Sequence, residues 1–159
     1  MDAGLVTVGS GLIADLVQVL GRERVVTDPG ELAFHSEDVY RRGEMPAALI
    51  RPADTEQLSA ALKAIAASGV AVVPRGGGMS YTDGYLPTRA GSVMVDMLSM
   101  NRVVTIDAED CYVTVECGAT WKQLFDALAP HGVRTPYYGP LSGLRSSIGG
   151  ALSQGSIFL

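Results

Sequence analysis

The sequence predicts an α+β fold in which a βαβ-containing subdomain comes first and the start of a second α+β subdomain follows. Two observations support this prediction. An apolar run, a helix-patterned segment and a second apolar run follow one another over residues 47–73, which is the spacing of a βαβ unit. Residues 103–116 then alternate between apolar and polar positions around a turn, as paired strands do, and a further helix pattern follows them.

Composition and charge exclude several classes of partner. The formal net charge is -5, which disfavours nucleic acid and anionic membrane surfaces. No apolar run is long enough to span a bilayer, and residues 1–4 lack the basic region of a secretory signal. The sequence therefore predicts a cytoplasmic protein with no transmembrane segment and no nucleic-acid partner, in which local dipoles must hold any anionic ligand.

The first 46 residues are predicted to form a helix followed by a wrapping arm. An apolar stripe over 10–20 indicates the helix, with Ser10 placed to cap it and Gly21 placed to end it. Residues 25–46 are polar and contain an Asp-Pro-Gly turn, so we expect them to be irregular and to carry no chemistry.

The segment that begins at residue 47 has the pattern strand, helix, strand. An apolar run ends at Ile50, and Asp54 can cap the next helix with Gln57 at the reciprocal capping-box position. A second apolar run over 70–73 returns as a buried strand that should lie parallel to the first. Open α/β sheets bind ligands at the carboxyl ends of such strands, which is where the next residues lie.

Three consecutive glycines, Gly76, Gly77 and Gly78, follow that strand directly. Glycine lacks the Cβ that would keep a ligand away from the backbone, and successive amides of such a loop can form an anion-binding concavity. We therefore interpret the loop as a pyrophosphate cradle; a flexible turn is the alternative for the glycines alone. A side chain at Gly77 is expected to exclude the phosphate and to oppose a positive φ. It is expected to leave the βαβ core largely intact and to cost the fold little, because the loop is expected to face solvent. The P-loop and dinucleotide patterns are both absent, because no lysine and no correctly spaced glycine with a helix follows.

Residues 92–128 supply the remaining predicted elements. A strand over 92–97 is followed by the strand pair 103–106 and 112–116, and Thr120 opens a helix in capping-box form. We interpret Trp121 on that helix as a core anchor, with a flavin-stacking role as the alternative.

The cysteines and histidines are not assigned a function. Cys111 and Cys117 alternate with valines on one predicted strand, so both are expected to be small buried hydrophobes. His35 and His131 have no neighbours at metal-ligand spacing, so no metal site is predicted.

A second glycine-containing stretch runs from 140 to 150. Gly149 and Gly150 follow Ser147 and Ile148, so exposed amides flanked by hydroxyl groups are expected there. Paired glycines are also common in turns, and this stretch alone is weak evidence for a site. The chain then ends in the apolar tail 156–159 without a cap or a charged terminus, which indicates a fragment or an early truncation.

Taken together, these landmarks resemble the FAD-binding domain of the vanillyl-alcohol oxidase / para-cresol methylhydroxylase (PCMH-type) family of flavoproteins. In chain order they are Ile50-Arg51-Pro52, Val73-Pro74-Arg75-Gly76-Gly77-Gly78-Met79-Ser80, Val95-Asp96-Met97, Met100-Asn101, Glu116-Cys117-Gly118-Ala119-Thr120-Trp121 and Ser147-Ile148-Gly149-Gly150. The resemblance covers 47–159, which implies a PCMH-type FAD-binding domain that is incomplete at its C-terminus. Within the family, the chain is most similar to bacterial D-lactate and glycolate dehydrogenase-like enzymes.

The resemblance implies an extended FAD whose pyrophosphate lies on 75–80 and whose isoalloxazine end lies near 140–150. The residues implied to bind it are Arg75, Gly76, Gly77, Gly78, Met79, Ser80, Tyr81, Pro140, Ser142, Ser147, Ile148, Gly149 and Gly150. Several family members attach the flavin covalently through a histidine that follows the last loop glycine. Met79 stands at that position here and has no nucleophilic nitrogen, so attachment at this position is non-covalent, and the FAD is implied to be dissociable unless a downstream residue anchors it.

The function implied is that of an FAD-dependent oxidoreductase that oxidises an alcohol or a D-lactate-like or glycolate-like 2-hydroxy acid by hydride transfer to FAD. Its partners would be a small-molecule substrate and an electron acceptor that the sequence does not identify. The catalytic residues are expected outside these 159 residues, so this chain alone is expected to be inactive. Two alternatives stay open. One is a non-catalytic flavin- or nucleotide-binding module, including an inactive fragment, and the other is a protein that binds another phosphorylated ligand on the same loop.

Overall fold

The structure is a computed structural model and describes residues 10–137, 139 and 143–155. These residues form two compact units. Unit 1 comprises 10–75 together with Ser80–Asp96, and unit 2 comprises Gly76–Met79 together with the described residues from 97 onward. The glycine loop therefore belongs to a different unit from the strand that leads into it.

Unit 1 is built on a four-stranded sheet. Its strands are β1 (Val25–Val26), β2 (Ala48–Ile50), β3 (Val72–Arg75) and β4 (Val93–Asp96), in the order β1-β2-β4-β3. Strands β2 and β3 both pair in parallel with β4, whereas β1 pairs antiparallel with β2. The predicted parallel direction of β2 and β3 is confirmed, but β4 lies between them.

The central place of β4 decides which strands are buried. Every residue of β2 and β4 is buried, whereas β3 is the outer strand and its Val72 is 39% exposed. The prediction of a buried strand before the glycine loop is therefore wrong. The apolar sequence of β3 is compatible with an edge strand as well as with a central strand. An edge strand pairs with one neighbouring strand and can be covered on one face only.

Three helices complete unit 1: α1 (Ser10–Leu20), α2 (Pro29–His35) and α3 (Thr55–Ala67). Helices α1 and α3 pack on each other. The cap of α3 is confirmed, because the Gln57 N–H donates to Asp54 Oδ1 at 2.8 Å. The Gln57 side chain accepts from the Ala53 N–H at 2.9 Å, one residue before the expected position.

The segment 25–46 contains more regular structure than expected. Strand β1 extends the sheet, and α2 begins with Pro29 after Asp28, whose carboxylate accepts from the Glu31 N–H at 2.9 Å. The prediction of an irregular segment is wrong over these two elements. Each element is only a few residues long and is held by distant parts of unit 1: β1 pairs with β2, and Leu32 of α2 packs into the core against Leu49 and Met94.

Unit 2 contains a hairpin and two helices. Strands β5 (Val103–Asp107) and β6 (Tyr112–Val115) pair antiparallel, as predicted, and α4 (Trp121–Leu128) and α5 (Ile148–Ser153) follow. The buried residues of the core are Ala119, Leu124, Leu128 and Ile148. Trp121 is partly buried against this cluster, which confirms its interpretation as a core anchor. Short 3-10 turns lie at Arg22–Arg24, Met97–Ser99 and Ala129–His131.

The two cysteines differ from the prediction and from each other. Cys111 is exposed and lies in the hairpin turn with φ 55, so it does not share a buried face with the strand residues. Cys117 is half-buried, and burial raises the pKa of its thiol. The thiol of Cys117 is therefore held in the neutral, weakly nucleophilic form at neutral pH.

Candidate functional site

The glycine loop packs closely on the backbone of residues 145–147 within unit 2. A Cβ added at Gly77 would overlap the carbonyl oxygen of Arg145 and lie 2.6 Å from its carbonyl carbon. A Cβ added at Gly76 would overlap the hydroxyl of Ser147. Gly76 and Gly77 lack room for a side chain because residues 145–147 approach them closely. The positive φ of the loop lies instead at Gly78, with φ 65. The expectation that the loop faces solvent, so that a side chain at Gly77 costs the fold little, is therefore wrong.

The segment that the loop packs against is held in place by the start of α4. The Trp121 N–H donates to the Ser146 carbonyl at 3.1 Å, and Thr120 and Ser147 form an isolated antiparallel bridge. Thr120 also makes the predicted capping box with Gln123. A buried Ser146 and a buried Ser147 thus lie in a backbone that hydrogen bonds restrain.

The second glycine stretch uses its amides within the protein. Gly149 and Gly150 lie in the first turn of α5, which Ser147 caps. The Ile148 N–H donates to the Ala119 carbonyl and the Gly149 N–H to the Cys117 carbonyl, each at 2.8 Å. The Gly150 N–H donates to the Ser147 hydroxyl at 3.3 Å. The expected exposed amides at Ile148, Gly149 and Gly150 are therefore not available in this arrangement, and the close approach of Gly149 to Cys117 explains its lack of a side chain.

Three further predicted residues lie in unit 1. Arg75 is only 6% exposed, and its guanidinium carbon lies 5.1 Å from the centre of the Tyr85 ring. The Ser80 hydroxyl lies 2.9 Å from that of Thr82 and accepts from the Thr82 N–H at 3.1 Å. Tyr81 is 59% exposed, with its ring edge-to-face against Tyr40 at 6.3 Å. The Arg75 side chain is thus directed into unit 1. Its guanidinium is buried, whereas one that waits for a phosphate would be exposed to solvent.

A charged cluster at the carboxyl ends of the strands of unit 1 is not predicted by sequence reasoning. Arg51 contacts three other side chains: its Nη2 donates to Glu31 Oε1 at 2.6 Å and lies 3.4 Å from His35 Nε2, and its Nε donates to Asp96 Oδ2 at 3.4 Å. The signal available in the sequence was a charged residue at the end of each apolar strand or directly after it. Arg51, Arg75 and Asp96 all satisfy it.

The electrostatic environment of His35 follows from this cluster. Burial lowers the pKa of His35, and the charges of Arg75 and Arg51 lower it further, against the opposing effects of Asp96 and Glu31. The imidazole is therefore neutral at neutral pH. A neutral ring beside the Arg51 guanidinium is a poor position for a metal ion. The described residues include no cluster of three metal-ligating side chains.

The chemical groups of the loop and of the segment beneath it fit an anionic cofactor. Residues 76–79 and 143–147 of unit 2 contain backbone amides, two serine hydroxyls and one arginine, and no carboxylate. Such a set can hold the phosphates of FAD without charge repulsion. Pro140 and Ser142, whose predicted place is near the flavin ring, fall outside the described residues.

Comparison with known proteins identifies the same region. The model of a family described as FAD binding domain matches residues 46–157, which include both glycine stretches. Among curated proteins, the chain is 33% identical over 151 residues to mitochondrial D-lactate dehydrogenase (cytochrome) 1 of Saccharomyces cerevisiae, covering 89% of the chain and 25% of that protein. It is 31% identical over 142 residues to glycolate oxidase subunit GlcD of Bacillus subtilis, covering 89% of the chain and 30% of that protein.

Solved structures agree on the fold. The chain matches p-cresol methylhydroxylase with a TM-score of 0.76 at 20% identity, covering 89% of the chain and 28% of that protein. It matches alkyldihydroxyacetonephosphate synthase with a TM-score of 0.78 at 20% identity, covering 89% of the chain and 31% of that protein. The predicted PCMH-type α+β fold is confirmed. The chain spans about a quarter to a third of the length of the curated relatives described above.

Proposed function

Because this chain belongs to the FAD binding domain family, we propose that it forms the FAD-binding portion of a flavin-dependent oxidoreductase that oxidises an alcohol or a 2-hydroxy acid. The observation that carries the proposal is the family match over residues 46–157, which include the three-glycine loop, and no carboxylate lies in that loop or in Arg145–Ser147. Bound FAD would supply the hydride acceptor, and the protein would supply position and electrostatics.

The proposed binding residues fall into groups with different roles. Backbone groups of Gly76–Met79 would hold the pyrophosphate, and the Ser80 hydroxyl is suited to a further phosphate contact. A cofactor contact of Ser147 stays a prediction, because its hydroxyl is buried and accepts from the Gly150 N–H. Arg75 would act through its position at the start of the loop. Contacts of Tyr81, of 148–150 and of Pro140 and Ser142 with the cofactor stay predictions.

The mode of attachment follows from Met79. Its thioether has no N–H group and no nucleophilic nitrogen through which a flavin could be attached, so we propose that FAD binds without a covalent bond at this position. Acid precipitation is then expected to release yellow FAD into the supernatant. A flavin-bearing peptide that maps to 76–80 would contradict this aspect of the proposal.

The substrate class comes from the relatives. D-lactate and glycolate, which appear in the names of two of them, are both 2-hydroxy acids. We propose a substrate of this kind and an electron acceptor of unidentified chemistry. The catalytic groups of the whole enzyme are proposed to lie outside this chain, since the chain spans only a fraction of each relative.

The domain division and the cellular location stay predictions. Helix α1 and strand β1 belong to unit 1, so the described residues of the N-terminal segment 1–46 pack on the sheet that 47–159 begins. Among the described residues, the helices all lack the length and apolar character that crossing a bilayer requires. The cytoplasmic location is a proposal only, because the yeast relative is named as a mitochondrial protein.

The proposed function is tested on the purified natural polypeptide that carries this chain. A visible spectrum with flavin bands, and tight binding of added FAD to the apoprotein, are expected. Reduction of the bound flavin by D-lactate or glycolate, followed by turnover with an artificial electron acceptor, would support the oxidoreductase over the non-catalytic module. Flavin binding with no reduction by any 2-hydroxy acid would favour the module, and preference for another phosphorylated ligand over FAD would contradict both.

A further inference from the structure

The carboxyl ends of the three parallel strands in unit 1 carry a row of alternating charge. Asp96 ends the central strand β4, and Arg75, the last residue of β3, is its partner in the parallel register. Arg51 follows β2 directly, and because Ile50 is paired with Val95, Arg51 lies level with Asp96 on the opposite side. The Arg51 Nε atom donates to Asp96 Oδ2 at 3.4 Å. In the register of the sheet, one acidic residue therefore lies between two arginines.

Burial makes the two inner members of this row depend on each other. Arg75 is 6% exposed and Asp96 is 5% exposed, and they are the buried basic and the buried acidic residue among the residues that the structure describes. A buried charge is strongly destabilising unless an opposite charge compensates it. Arg51 is more exposed and has Glu31 as a second partner at 2.6 Å. Asp96 is therefore the acidic residue that lies beside Arg75 in the register and is buried with it.

We infer that Asp96 is a positioning residue for the cofactor loop. It compensates the buried charge of Arg75 at the end of β3, and the next peptide bond begins the loop at Gly76. The inference rests on the proposed function, because the position of the loop matters if the loop holds FAD. Without the carboxylate, two like charges would face each other at the strand ends, and the end of β3 would move together with the residue that starts the loop.

The test uses the natural polypeptide with Asp96→Asn, which keeps the size of the side chain and removes its charge. Asp54→Asn is the matched control, since it makes the same chemical change in unit 1 at a helix cap where asparagine serves as well as aspartate. Asp96→Glu restores the charge. Two quantities are measured on each apoprotein: the Kd for FAD, from quenching of flavin fluorescence, and the hydrogen exchange of a peptide that contains 76–79.

For Asp96→Asn we expect FAD affinity to fall by about 10- to 100-fold, as for other residues that orient a binding group without touching the ligand. Exchange in the loop peptide should quicken before any FAD is added. Asp54→Asn should change neither quantity, and Asp96→Glu should recover some of both. A purely structural ion pair would instead lower global stability and leave the loop exchange and FAD affinity of the folded fraction unchanged, which would overturn the inference.

A second variant covers the case in which Asp96→Asn does not fold. Arg51→Gln changes a half-exposed residue of the same row and should weaken FAD binding about twofold to fivefold, the range of a partly exposed ion pair. Unchanged loop exchange in that variant would overturn the inference. If the wild-type protein binds no FAD, the proposed function fails, and loop exchange in the apoprotein variants still decides whether Asp96 positions the loop.

Discussion

Replacing Gly77 by alanine is expected to destabilise unit 2 strongly. The added Cβ would overlap the Arg145 carbonyl oxygen and lie 2.6 Å from the carbonyl carbon and 3.3 Å from the Ser146 nitrogen. Carbon atoms pack at about 3.5–4.0 Å, and the carbonyl oxygen is nearer than the carbonyl carbon, so one backbone must move by more than about 1 Å. The Trp121–Ser146 hydrogen bond restrains that movement. Overpacking costs about 1–3 kcal/mol, and because two backbones collide we expect the upper end, about 3 kcal/mol.

Gly132→Ala is the control for the loss of glycine itself. No atom lies within 4 Å of the added Cβ, and the cost comes only from φ 68, which is about 1–2 kcal/mol for a left-handed backbone. Urea unfolding of the 159-residue chain can be followed by fluorescence of Trp121, the single tryptophan, which lies against the unit 2 core. With m of about 1–3 kcal/mol/M, the midpoint for Gly77→Ala should fall by about 1–3 M.

The result that would refute this reasoning is a midpoint for Gly77→Ala at or above that of Gly132→Ala. It would mean that the loop separates from residues 145–147 at little cost. If the expected result is found, loss of FAD binding in a Gly77 variant reports a displaced loop, and it is then not evidence for a direct phosphate contact at that residue.

Three further predictions follow from other residues. The pKa of His35 is lowered below 6.5 in the folded protein, so the unfolded chain binds a proton at a higher pH than the folded chain does. The free energy of unfolding should therefore rise with pH in the window just below 6.5 and then level off, and His35→Gln should remove that slope. An unfolding free energy, measured by urea titration, that does not change across pH 5–8 would contradict the assignment. Thr120→Ala removes the capping box of α4 and should cost about 1 kcal/mol, measured as a lower Tm, whereas Thr120→Ser should be close to wild type. The 159-residue chain with added FAD should show no turnover of D-lactate or glycolate above that of free FAD, and clear turnover would place the catalytic groups inside this chain.

Features set by neighbouring residues could be predicted from the sequence. The capping box of Thr120 and Gln123 and the hairpin around 107–110 depend on groups only a few residues apart, and both are present. The parallel direction of β2 and β3 also followed from the length of one connecting helix. The FAD-binding family followed from the order of several such local landmarks.

Features set by distant residues could not be predicted. Strand β4 enters the sheet between β2 and β3 although it follows both in the chain. The amides of Ile148 and Gly149 looked available because their acceptors, the carbonyls of Ala119 and Cys117, lie far away in the sequence. Gly77 looked like a ligand contact because Arg145 is nowhere near it in the sequence. In each case the contact that sets the structure joins residues far apart in the sequence, and a local sequence pattern does not show that such residues are close in space.

The two outer strands of the unit 1 sheet have a consequence for behaviour in solution. Exposed strand edges offer unpaired amides to other chains and so promote aggregation. Here one outer strand, β1, has only two residues, and the other, β3, contains Pro74, which has no N–H to offer. A strand of a second molecule therefore has few backbone hydrogen-bonding groups to pair with at either edge. We expect unit 1 to resist strand-to-strand association at high concentration, and replacing Pro74 by valine to make the β3 edge more prone to association.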